Sequence, residues 1–95
     1  MKEILLTGSS WKNAQDFYDA FFKAVGAPKW HGRNLDALND SIGHGDINQI
    51  EVPYVIRITG LGSMSPKTRQ FLESFGTLID NMKKEGIEVE LICEN

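Results

Sequence analysis

The chain reads as a small two-layer α/β domain, a three-stranded parallel sheet with three to four helices. Three observations predict it. Short apolar or β-branched runs occupy residues 2–7, 53–59 and 87–92. The stretches between them carry the 3–4-residue periodicity of amphipathic helices. Strands so separated cannot pair through tight hairpins, so the sheet should be parallel, with right-handed crossovers. The length of 95 residues suits one domain, residues 1–95. It supplies too few strands for a two-halved dinucleotide fold.

Each element follows from local chemistry. Lys2 to Thr7 is a short apolar run stopped by Gly8, a strand. Asn13 is a helix cap, with Asp16 favourably placed in the first turn. Phe17, Phe21 and Val25 recur at i, i+4, i+8 until Gly26 and Pro28 end the helix. Trp11, in the turn before it, is placed to seal the edge of the core. A second helix starts at the cap Asn34 and stops near Gly43, with Leu35, Leu38 and Ile42 as its apolar stripe. Pro53–Thr59 is the second strand. Ser65 then caps a long helix with Pro66 at its first position. Phe71, Phe75, Leu78 and Met82, with Leu72 and Ile79 alongside, face its core, and Gly86 closes it. Ile87–Ile92 alternates apolar with acidic residues, a strand with one face at least partly wet.

Composition narrows the function classes. A 41% hydrophobic and 24% charged chain is not of the disordered type. Neither a bilayer-spanning run nor a secretory leader is visible, so a cytoplasmic location is expected. The lone Cys93 fits a reducing compartment and should be a small buried hydrophobe. A net charge of −3 argues against a general nucleic-acid binder, which needs a basic stripe. From Asn34 to Ile56 stand Asp36, Asp40, Asp46 and Glu51 without a single Lys or Arg. Such a field suits a basic partner or a cation.

The second helix concentrates this signal. Asp36 and Asp40, four apart, share a face roughly opposite the apolar stripe. Trp30, His31 and Gly32 lead into it, and an aromatic beside fixed charges is the composition of a binding hot spot. The plain alternative is a solvated helix face with a core tryptophan. Asp36, Asp40 and His44 form an i, i+4, i+8 row, but Gly43 should end the helix before His44 joins it. No HExxH, CxxC or nucleophile-elbow pattern occurs, so no catalytic residue, metal or cofactor is assigned. Gly60-Leu61-Gly62-Ser63 precedes a helix as a phosphate loop would, but Ser65 replaces the third glycine of the fingerprint and no Walker lysine follows.

The stretch Pro28-x-Trp30-x-Gly32-x-Asn34-Leu35-Asp36-Ala37-Leu38-x-Asp40 resembles the signature of the barstar family of ribonuclease inhibitors. The order of elements is similar over nearly the whole chain. The resemblance implies a cytoplasmic bacterial immunity protein, monomeric when free, that blocks a small basic secreted ribonuclease until export. Asp36 and Asp40 would stand where RNA phosphates lie, Trp30 would be the interface aromatic, and Gly32, Asn34, Leu35, Asn39, Gly43 and His44 would border the contact. Departures are Asn39 and His31 in place of aromatics, Arg33 where an acid is frequent, and Asn81 where the long helix usually carries an acid. Two other readings stay open: the same fold serving a basic partner that is not a nuclease, and a phosphate-ligand binder using Gly60–Ser65.

Overall fold

The computed structural model describes residues 1–28, 32–43 and 48–95. Its order is β1 (Lys2–Thr7), α1 (Ala14–Val25), α2 (Leu35–Gly43), β2 (Tyr54–Thr59), α3 (Pro66–Lys84) and β3 (Val89–Cys93). The strands lie β1-β2-β3, parallel throughout, with Ile4, Ile56 and Leu91 in register and Leu6 level with Ile58. The expected small α/β fold with a three-stranded parallel sheet is what forms, with three α-helices among the described residues where three to four were expected.

Period-two alternation decides which side of the sheet the helices cover. Ile4, Leu6, Tyr54, Ile56, Ile58 and Val89 point inward and are buried. On the other face Leu5 is exposed, and Arg57 lies between Glu3 and Glu94, at 3.5 and 2.8 Å. Alternation of this kind is the mark of a sheet wet on one side, unusual for parallel strands.

The helix layer is held by an aromatic cluster around Phe17. Its ring lies 4.8 Å from Phe75, 5.2 Å from Phe71, 5.8 Å from Phe21 and 5.7 Å from Trp11. Trp11 is buried at the margin, as its position in the turn implied. Asn13 caps α1 by accepting the Asp16 amide, and Gly26 ends it at φ +71°. Ser65 caps α3 through the Thr68 amide, with Pro66 first in the helix.

Four expectations need correction. The buried row of α3 is Thr68, Leu72, Phe75, Ile79 and Met82; Phe71 and Leu78 are only half-buried at its margin. β3 begins at Val89, not Ile87, because the Ile87 amide is spent on the Met82 carbonyl in closing α3, past Gly86 at φ +91°. Pro53 precedes β2 rather than opening it, having no amide hydrogen to give. Cys93 is exposed at the last residue of an edge strand and is no core residue.

Candidate functional site

α2 has nine residues, shorter than the ~12–15 at which an isolated helix becomes even marginally stable. Its shape is therefore imposed by its ends and its buried side. At the N-terminus Asn34 accepts the Ala37 amide on Oδ1 at 2.7 Å, while its carbonyl accepts the Leu38 amide. This satisfies donors that a helix start leaves orphaned. At the far end a Cβ on Gly43 would lie 3.3 Å from Ile87 Cδ1, so the last turn rests against the entry to β3.

The buried side is Ala37, Leu38, Ser41 and Ile42. The expected stripe was Leu35, Leu38 and Ile42, and the difference is informative. At 100° per residue the four buried residues fall within one arc, and Leu35 lies outside it. Leu35 is 38% exposed. Around the opposite arc stand Leu35, Asp36, Asp40 and Gly43, all exposed, and Asn39, half-buried. The structure thus brings five of the sequence-predicted site residues onto one face. Asn34 and Gly32 are exposed just before it, and Gly32 has room for a Cβ, whose nearest neighbour would be Asn34 Nδ2 at 3.4 Å. Trp30, His31 and His44 lie outside the described residues.

Asp36 stands in the first turn, where the helix dipole favours a carboxylate, and has no ion-pair partner among the described residues. Asp40, one turn on, gains nothing from the dipole and repels Asp36 by ~0.2–0.5 kcal/mol.

Two polar anchors escaped sequence reasoning. Ser41 is fully buried; its Oγ and carbonyl both accept from Asn48 Nδ2, at 2.6 and 2.9 Å, and the Asn48 amide donates to Glu51 Oε2 at 2.8 Å. A serine within the apolar row of α2 was the one signal that could have disclosed this bond. The second anchor is Arg33, whose Nε lies 3.3 Å from Asp19 Oδ1 on α1 and whose guanidinium sits 5.1 Å from the centre of the Phe22 ring.

With fold and face described, comparison with known families is decisive. Residues 1–93 match the family described as Barstar (barnase inhibitor). The chain belongs to this family. A barstar-family chain is thus assigned to a class of proteins that inhibit a ribonuclease rather than catalyse a reaction. Among the described residues, no helix is long and apolar enough to cross a membrane.

The glycine-rich loop of this barstar-family chain offers little to a phosphate. Residues Leu61–Ser63 form a single 3-10 turn. The amides of Leu61, Ser63 and Met64 are already given to the carbonyls of Glu94, Gly60 and Leu61. Arg69 is turned onto the Leu61 and Gly62 carbonyls, at 3.1 and 3.2 Å. Anion cradles need free amides, and here three are spent.

Proposed function

We propose that this protein inhibits a small basic ribonuclease of the barnase type by presenting the outer arc of α2 to the enzyme's active site. Asp36 and Asp40 take the place of RNA phosphates opposite the enzyme's cationic groups. Leu35, Asn39 and Gly43 surround them with Gly32 and Asn34 beside, and Trp30 and His44 are the further partner-binding residues that the family resemblance implies. The location is cytoplasmic and the role that of an immunity protein, keeping a secreted nuclease silent until export.

The observation that carries this reading is the composition of the exposed arc. A helix that only needed to be solvated would not expose Leu35 beside two carboxylates four residues apart while burying a serine. An apolar residue on a charged rim fits a surface covered by a partner. Complementary charge raises the rate of encounter, and ion pairs desolvated on docking slow release.

The test is titration of barnase activity on RNA with wild type and with Asp36→Asn/Asp40→Asn. Wild type should inhibit at 1:1 stoichiometry, as the reading requires. The double variant should bind at least about a hundredfold more weakly, the loss expected of two hot-spot groups. Because both carboxylates are exposed, its melting temperature should stay within a few degrees. Equal inhibition by both proteins would place the interface elsewhere, and no inhibition by wild type would remove barnase-type enzymes as the partner.

A further inference from the structure

Arg33 is the cation nearest in sequence to the acidic helix, one residue before its cap and three before Asp36. On a face meant for a basic enzyme its charge has the wrong sign. The fold disposes of it. Nε lies 3.3 Å from Asp19 Oδ1, across 14 residues of chain, and the guanidinium lies over the Phe22 ring, one helical turn further along α1. Asp19 is itself steadied on its own helix by Gln15 Nε2, which donates to the same oxygen at 2.9 Å. The Arg33 side chain is two-thirds covered and that of Asp19 more than half exposed, as expected if the arginine is the group being stowed.

We propose that Asp19 is a positioning residue for the interface. It holds the Arg33 guanidinium on α1, which keeps that cation off the acidic arc and ties the start of α2 to α1. The proposal rests on the inhibitor reading for the effect of the charge and on the geometry alone for the tie. If Asp19 is removed, the cation-π contact remains, but the guanidinium loses the Asp19 carboxylate. The freed arm stands three residues from Asp36, a spacing at which side chains near a helix start can meet. There it would neutralise the carboxylate that the partner needs or repel the partner directly. Encounter with a basic enzyme slows in either case.

The experiment compares wild type, Asp19→Ala, Arg33→Met and the double variant, with barnase as the probe in stopped-flow association at low and high salt. Asp19→Ala should associate roughly three- to fivefold more slowly at low salt, the range of a partly exposed charge pair. The deficit should disappear at ~1 M salt, where screening acts within ~3 Å. Adding Arg33→Met to Asp19→Ala should restore the rate, because the stray cation is then gone. An unchanged rate in Asp19→Ala overturns the proposal, and so does a deficit that Arg33→Met does not rescue, which would mean that Asp19 meets the partner itself.

Amide exchange on the free proteins reads the tie without any partner. Ala37 and Leu38, whose amides are held by Asn34, should exchange roughly threefold faster in Asp19→Ala, with Ile79 in α3 unaffected. If wild type fails to bind barnase, the inhibitor reading loses that partner while exchange still decides the tie. Equal exchange at Ala37 and Leu38 would then overturn the proposal.

Discussion

α1 and α2 are held in the fold by different means, α1 against β1 and α3, α2 against α3. α1 buries Phe17, Tyr18, Phe21, Phe22 and Val25, a continuous apolar face whose stability comes from area and ring packing. α2 buries two small residues, Ala37 and Ser41, and two large ones, Leu38 and Ile42. Its remaining hold is polar: the Asn34 cap, the Ser41–Asn48 bonds and the Arg33–Asp19 pair. A helix with an extensive apolar face has little surface left for a partner. α2 keeps more than half its circumference open because a few directed bonds fix it. Under the proposed function, stability and recognition fall to separate residues, and substitutions should separate them.

The largest separation is expected at Phe17, fully buried and in contact with five other aromatic rings whose centres lie within 5.8 Å. Phe17→Ala should cost ~3–5 kcal/mol, from lost transfer energy and the cavity left behind. That is a large share of the ~5–15 kcal/mol that such domains possess. Denaturant unfolding would read this loss directly. The molecules still folded should bind the nuclease with nearly unchanged affinity, since nothing on the α2 arc is altered. A matching fall in affinity would show that the site is not insulated from the scaffold.

A smaller effect, in which stability and binding fall together, is expected at Asn34. Asn34→Ala removes the side-chain oxygen 2.7 Å from the Ala37 amide. The cost should be ~1 kcal/mol, the usual value for a lost cap. In a helix this short the loss falls on the first turn, where Asp36 stands. Binding should therefore weaken by about as much as stability, or fivefold for ~1 kcal/mol. Calorimetric titration against unfolding measurements on the same variant checks the pairing.

The two regions also differ in how far sequence disclosed them. β1, α1 and the start of α3 were legible to the residue because each end has a specific chemical marker: Gly8, the Asn13 cap, Gly26, and the Ser65-Pro66 pair. The acidic pair was equally legible, since four-residue spacing on a helix fixes a shared face whatever surrounds it. The phase of α2 was not. Leu35 was placed inward by its hydrophobicity, but three apolar residues within nine leave the direction of the buried arc free by one residue. Tertiary packing chose Ser41 over Leu35, with Asn48 supplying the hydrogen bond that makes a buried hydroxyl tolerable. The Arg33–Asp19 pair was beyond reach for another reason: charges 14 residues apart meet only once α1 and the segment before α2 have been brought together.

The smallest effect at neutral pH, and the one most specific in its pH dependence, belongs to the seam between the regions. Tyr54 is fully buried on β2, and its hydroxyl has no hydrogen-bond partner among the described residues. Burial, and then the nearby Glu51 carboxylate, push its ionisation far above the ordinary tyrosine value of 10.0. Replacing such an orphan hydroxyl by hydrogen should be close to neutral at pH 7, because no bond is lost and a desolvated group is removed. At alkaline pH the sign is fixed by linkage. With its folded pKa above the unfolded one, the folded state holds a proton that the unfolded state releases beyond about pH 10. That contribution is complete below pH 10 and is lost as pH climbs toward the folded value. Wild type should lose stability steadily above pH 10, and Tyr54→Phe should lose less, the curves diverging only on the alkaline side. Parallel curves would mean that water reaches the hydroxyl, and that the seam joining the scaffold to the segment behind α2 is looser than its packing indicates.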